Sequence, residues 1–342
     1  MAVKKRGRGM AACWYGIART ATTDRAGAWA EMDDGGTAKI VTGVTEIGEG
    51  ILTVLAQVAA DELGVRPQDV TIGDNDTARS PEAAHAGATR QTYMISNAVA
   101  LACRDARAKF DAFMAEHWEV EVEEITARNG EVWARDHHNL RMPLSEAIDL
   151  CKAHGVVPVG AGSFTSEHTG LDPVDGSGRP WQSYVFGTQV CEVEVDTATG
   201  EVQVLGVWAA HDIGRVVNPR GVEGQIEGGI VQAVGQALME DYIQVDGHTT
   251  TPGLAKYILP TSLDVPQVTS VLVEAHDPNN PLGVKGIGEP AMVPTAPAIM
   301  NAIYDAVGVR ITSLPATPEK VLSALSEKRK AKAASLGAAA AE

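Results

Sequence analysis

Aromatic side chains are scarce in this 342-residue sequence, at 5% of residues against 35 glycines. A core stacked from rings is thereby excluded. The glycines point instead to tight turns and close backbone approaches, because a residue without Cβ reaches left-handed φ without steric penalty. Positive charge is also short: 28 Lys and Arg face 44 Asp and Glu, a formal net charge of −16. That balance opposes a nucleic-acid partner, since phosphate binding draws on clustered cations. No apolar run is long enough for a transmembrane segment. The basic opening Lys4-Lys5-Arg6-Gly7-Arg8 imitates a signal peptide, but the apolar stretch behind it breaks at Arg19, and the reading is a cytoplasmic protein. Cys13, Cys103, Cys151 and Cys191 include no C-x-x-C pair, so spacing proposes neither zinc nor an iron–sulfur cluster. With no flavin or nicotinamide fingerprint either, any redox chemistry must pass its electrons to a centre on another chain.

What is present suits a folded chain, with 44% hydrophobic and 21% charged residues. Alternation over Ala28–Met32 and Thr37–Thr42 around Asp33-Asp34-Gly35-Gly36 predicts a hairpin. Ile51, Leu52, Leu55, Val58, Ala59 and Leu63 recur at helical spacing, with Gly64 as the C-terminal cap. A strand follows at Asp69–Ile72, a long helix from Asn97 to about His117, and a small helix after Pro143. Thr188–Val195 and Glu201–Trp208 form a second hairpin pattern, followed by a helix over Val222–Tyr242, a strand over Val268–Ala275 and helices near Pro297–Val307 and from Pro318. The expectation is an α+β chain of two lobes. Residues 1–160 form the first, 161–181 an irregular connection, 182–327 the second, and 328–342 a Lys- and Ala-rich tail.

Four glycine-rich stretches carry the candidate chemistry. In Gly283-Val284-Lys285-Gly286-Ile287-Gly288-Glu289-Pro290 three glycines lead to one carboxylate, and Pro290 is expected to hold Glu289 extended. Gly43-Val44-Thr45-Glu46-Ile47-Gly48-Glu49-Gly50 stands before a helix, whose free N–H groups can bind an anion. Gly87-Ala88-Thr89-Arg90-Gln91-Thr92 is dense in donors, and Asp212–Pro219 runs into Gly224-Gln225-Ile226-Glu227-Gly228. Taken singly, each is as readily an ordinary turn or helix cap.

Together and in this order they resemble the molybdenum-binding subunits of the xanthine dehydrogenase and aldehyde oxidase family, from about Arg6 to Leu325. The resemblance implies that Glu289 is the catalytic base. It implies that Gln225, Gly48, Glu49, Ala88, Thr89, Arg90, Thr92, Gly286 and Gly288 bind the cofactor. That cofactor would be molybdenum on molybdopterin, in its cytosine dinucleotide form, with the metal held by the pterin dithiolene and not by protein. The resemblance further implies a split arrangement like that of nicotinate dehydrogenase. A second molybdopterin-binding subunit would carry the family's other half, and [2Fe-2S] clusters and FAD would lie on partner subunits.

The implied reaction is hydroxylation of an electron-poor carbon in an N-heterocycle or aldehyde, with oxygen from water. A reductive relative acting on an aromatic acyl-CoA, similar to 4-hydroxybenzoyl-CoA reductase, and a non-catalytic scaffold are the alternatives. Two departures stand out. Glu49 occupies a position where most relatives carry Gln, and an ionised Glu donates no hydrogen bond. Arg19 lies where purine-hydroxylating relatives place an aromatic, and is a candidate partner for an anionic substrate group.

Overall fold

The computed structural model describes residues 3–73 and 75–339. In chain order it contains β1 (Lys4–Gly16), β2 (Asp24–Asp33), β3 (Thr37–Val41), α1 (Ile51–Leu63), β4 (Val70–Ile72), α2 (Ser96–Trp118), β5 (Ile125–Arg128), β6 (Glu131–Ala134), β7 (Arg141–Pro143) and α3 (Leu144–Ala153). Then come β8 (Val159–Ser166), β9 (Tyr184–Asp196), β10 (Val202–Asp212), α4 (Pro219–Leu238), β11 (Gln244–Val245), β12 (His248–Thr249), β13 (Gln267–Val273), α5 (Thr295–Val307) and α6 (Pro318–Ala339).

This α+β fold is built from one plan used twice. In each unit an antiparallel hairpin feeds a helix that returns to a parallel edge strand: β2–β3–α1–β4 in one and β9–β10–α4–β13 in the other. A further helix then packs against each sheet, α2 on the first and α5 on the second. The fourth strands are exchanged. β8 completes the order β4-β3-β2-β8, while β1 pairs with β9 along its whole length, from Lys4 opposite Asp196 to Gly16 opposite Tyr184.

That exchange corrects the lobe boundaries expected from sequence. The strand at the start of the chain belongs to the sheet of the second unit, and β8 reaches into the stretch expected to be irregular, closing the first sheet. The three-stranded sheet β5-β6-β7 is a further element that the sequence pattern did not indicate. Of the tail expected at 328–342, α6 extends to Ala339, and 340–342 lie outside the described residues.

Glycine serves helix-on-sheet packing here as well as turns. A Cβ added to Gly7 or Gly9 of β1 would lie 2.3 Å or 2.2 Å from backbone nitrogens of Ala306 and Ala302 on α5. Gly160 and Gly162 of β8 meet Ala106 and Ala102 of α2 at 2.4 Å and 2.3 Å in the same way. Small residues facing small residues bring each helix axis close to its sheet, so the interior fills without many rings.

Candidate active site

The four glycine-rich stretches are the two pairs of equivalent loops of the duplicated plan. Residues 43–50 and 212–218 each join a hairpin strand to the helix behind it. Residues 87–92 and 283–290 each lead toward the helix that covers a sheet. Three of them, with Gln225 from α4, converge on a cleft of about 310 Å³, lined by Ile47, Glu49, Gly87, Thr89, Gln91, Thr92, Gln225 and the stretch from Gly286 to Glu289. A recess of about 120 Å³ shares Glu49, Thr92, Gln225 and Ile287 with it and continues past Asn218 and Lys285. Asn218 caps α4 by accepting the Gly221 N–H.

Backbone and side-chain bonds lock the loops together. Arg215 N–H donates to the Gly283 carbonyl, Lys285 N–H to that of Ile213, and the Lys285 ammonium lies 2.6 Å from Asp212 in a largely buried ion pair. From α2, Asn97 accepts the Leu282 N–H and donates to Asn280. The glycine-rich turn is thus held from both units.

Glu289 starts a single 3₁₀ turn, Glu289–Ala291, after Gly288. This overturns the extended geometry expected from Pro290. Proline is tolerated in a first helical turn, where its missing N–H has no helical partner to lose. Thr89 fixes the turn by donating its hydroxyl to Glu289 Oε2 at 2.5 Å and accepting the Glu289 N–H at 3.1 Å. Beneath it, buried Gln189 donates to the Ala291 carbonyl at 2.6 Å and accepts the Thr295 hydroxyl at 2.6 Å. His211 lies 3.2 Å from the Gln189 amide, and burial pushes its pKa down to about 4, so it is neutral. Burial raises the Tyr15 phenol, helped by the neighbouring Glu289 carboxylate. Tyr15, Gln189 and His211 were not legible as site residues, since each comes from a strand without a local motif.

Glu49, Thr89, Thr92, Gln225, Gly286, Gly288 and Glu289 are brought together around the cleft. The structure gives other roles to the remaining candidates. The Arg90 guanidinium is fully buried and turned away from the cleft, paired with Asp24 through contacts of 2.7 Å and 2.8 Å and donating to the carbonyls of Ala83, His85 and Arg25. Arg90 nonetheless borders the cleft. Ala88 sits at φ 50° and gives its carbonyl to Ala18 N–H, shaping the turn. Gly286 packs against the Thr89 backbone, where a Cβ would lie 2.1 Å from the carbonyl oxygen. Gly288 does leave room, with a Cβ 3.6 Å from Thr89 Oγ1 and 4.0 Å from Gln225 Oε1. Arg19 is exposed and does not line the cleft, its N–H bonded to Asp24.

The start of α1 is also corrected. The N–H groups of Gly48, Gly50 and Leu52 donate to Glu46 rather than remaining free for an anion. Burial pushes the Glu46 carboxyl up, but these three donors, led by Gly50, bring it below the ordinary glutamate value. Glu49 keeps one donor, the Ile47 N–H at 2.9 Å, and burial with the neighbouring Glu46 raises its carboxyl. Glu49 and Gln91, both of which line the cleft, each have one side-chain oxygen, Oε1, that is sealed from solvent and has no hydrogen-bond partner.

Among the described residues no cluster of three or more His, Cys, Asp or Glu is placed to hold a metal ion, and no helix is long and apolar enough to cross a membrane. Burial pushes the Cys151 and Cys191 thiols up to about 11 and 12, leaving them as inert core groups. The resemblance implies a metal that arrives on its own organic ligand. A cradle with a glycine wall at Gly288 and unsatisfied oxygens at Glu49 and Gln91 has the polar character to hold that ligand.

Comparison with known proteins agrees with this fold. Residues 2–266 match the model of the molybdopterin cofactor-binding domain. The chain is 32% identical over 299 residues to a xanthine dehydrogenase molybdenum-binding subunit of Escherichia coli, covering 86% of this chain and 39% of that one. It is 30% identical over 299 residues to the gamma subunit of the 6-hydroxypseudooxynicotine dehydrogenase complex of Paenarthrobacter nicotinovorans, covering 86% and 36%. Quinoline 2-oxidoreductase from Pseudomonas putida 86 superposes with a TM-score of 0.82 at 29% identity, over 95% of this chain and 42% of that chain. The chain thus spans less than half the length of these relatives, and within that span the two exchanged units and their shared cleft make it a member of the molybdopterin cofactor-binding domain family.

Proposed function

We propose that this chain is the base-bearing, cofactor-binding part of a molybdenum hydroxylase that oxidises an electron-poor carbon of an N-heterocycle or aldehyde. The observation that carries the reading is the Glu289 carboxylate, fixed by Thr89 at the wall of a cleft whose glycines and unsatisfied oxygens suit a large polar ligand. When bound, molybdenum on molybdopterin, in the cytosine dinucleotide form, supplies the two-electron redox chemistry and the oxygen that is transferred. Gly288, Gln225, Thr92, Gln91 and Glu49 would hold that cofactor.

Glu289 takes up a proton at its carboxylate as the oxygen nucleophile is formed. Thr89 holds Oε2, so the carboxylate cannot rotate away. Tyr15 supports it from β1. A second molybdopterin-binding polypeptide completes the pocket, and subunits carrying [2Fe-2S] clusters and FAD accept the electrons. Arg19, exposed at the β1–β2 connection, would meet an anionic substrate only where such a partner covers it.

The test is purification of the chain with its partners, followed by molybdenum, iron and flavin analysis and turnover measurement on Glu289→Gln. The expected result is a full complement of molybdenum in both proteins, with turnover lowered in the variant by about 100- to 10,000-fold or more. Near-normal turnover in Glu289→Gln would remove that residue from the mechanism, and wild-type protein free of molybdenum would favour a scaffold.

A further inference from the structure

The loop before α1 carries two carboxylates that share its N–H donors unequally. Glu46 accepts three, from Gly48, Gly50 and Leu52, at 2.8 Å, 2.9 Å and 3.2 Å. Glu49 accepts one, at Oε2, while its Oε1 is sealed from solvent without a partner and the residue lines both the cleft and its recess. An ionised oxygen in that position would bear the full desolvation cost of an unpaired charge. A protonated carboxyl would not. Two neighbouring acids in this situation separate into one that ionises, where the donors are, and one that keeps its proton.

We propose that Glu49 retains its proton on Oε1 and so borders the cleft as a neutral carboxyl, which leaves no second negative charge on this loop to repel the phosphate-bearing cofactor. The inference rests on the cofactor reading given above. It makes Glu49 a residue whose effect on cofactor binding depends on pH. The charged groups facing it are Glu46 on its own loop, Glu289 across the cleft, and Arg215 and Lys285 along the recess. Lys285 is neutralised by Asp212 and Arg215 is paired with Asp61, while the Arg90 guanidinium points away to Asp24. Among the described residues no unpaired cation there draws the proton off, and Glu46 favours keeping it. Burial, the largest cause, raises the Glu49 carboxyl, with Glu46 adding to it.

Two measurements on the chain with its copurifying partners test this. The first is the infrared difference between wild type and Glu49→Gln across pH. It should contain a protonated-carboxyl carbonyl band at neutral pH that vanishes on alkalinisation, with a lower midpoint in Glu46→Gln, where the neighbouring charge is gone. The second is retention of molybdenum and pterin after dialysis over a pH series. Wild-type affinity should fall about 10-fold per pH unit above that midpoint, while Glu49→Gln stays flat. No band at neutral pH, or the same retention profile in both proteins, overturns the proposal. Absence of molybdopterin from every variant at every pH would instead defeat the parent reading, and the infrared arm would still decide where the proton lies.

Discussion

Thr89 and Glu289 form a closed two-point clamp across 200 residues of chain, the hydroxyl donating to Oε2 at 2.5 Å and accepting the N–H of the same glutamate at 3.1 Å. Thr89 holds this position at φ 54°, directly after Ala88 at φ 50°, a pair of left-handed residues that non-glycine side chains seldom adopt. Strain kept at a contact with the candidate base points to a positioning role for the hydroxyl.

Replacing Thr89 by Val should therefore lower kcat by about 10- to 100-fold, the worth of one hydrogen bond to a charged group. Cofactor content should stay full and KM should change little. Thr89→Ser, which keeps the hydroxyl, should recover most of the rate. Equal kcat in the Val and Ser variants would show that Thr89 acts only through packing.

The Arg90–Asp24 pair gives a stability prediction of a different kind. Both side chains are fully buried, and the pair is bidentate. Removing one partner strands the other charge away from water, so Arg90→Met should cost about 3–5 kcal/mol in denaturant unfolding. Arg90→Lys should recover little, because an ammonium cannot reproduce two parallel bonds along with the carbonyl contacts. A mild effect of Arg90→Met on stability with a large effect on cofactor content would restore this arginine to the ligand site.

How far the fold could be read from sequence follows from what filled each inward position. In α1, Ile51, Leu55, Val58, Ala59 and Leu63 are buried at the expected spacing, Leu52 of the same expected set is exposed, and Gly64 caps the helix at φ 80°. In β1, the positions facing α5 include Gly7 and Gly9, which contribute no hydrophobic alternation, so the strand had no visible pattern. Its pairing with β9 joins Lys4 to Asp196, about half the chain apart, and no local signal specifies so distant a partner. Within the site, Glu289 and Gln225, singled out by the family motifs, both line the cleft. Motif membership alone did not reveal that Arg90 points inward to Asp24, or that Glu46 occupies the helix N–H groups.

The glycines allow a paired test of close packing. Gly162→Ala places a Cβ 2.3 Å from backbone atoms of Ala98 and Ala102, which a helix cannot yield without lifting off the sheet. It should cost at least about 3 kcal/mol, in the range of severe overpacking, or abolish soluble expression. Gly228→Ala, in the exposed face of α4 with nothing within 4 Å, should raise stability by about 0.5–1 kcal/mol through helix propensity. Similar melting temperatures for the two variants would contradict the argument that α2 rides directly on the β8 backbone.

Acid should weaken the support beneath the catalytic turn. His211 is held neutral, with a pKa of about 4 in place of the ordinary 6.5, because burial opposes its charged form. As pH falls from about 6.5 to 4, the unfolded chain gains a proton that the folded chain refuses, so stability is present above this window and drains away through it. The loss is at most about 3 kcal/mol, from the linkage between the two pKa values. Unfolding of the wild type followed over that range should show the decline, and His211→Gln should flatten it. Because Gln189 bridges His211 to the Ala291 carbonyl, the acid form should also loosen the 3₁₀ turn that carries Glu289. Hydrogen exchange at Met292, whose N–H donates to the Glu289 carbonyl, should then quicken at acid pH relative to the intrinsic rate in wild type but not in the variant.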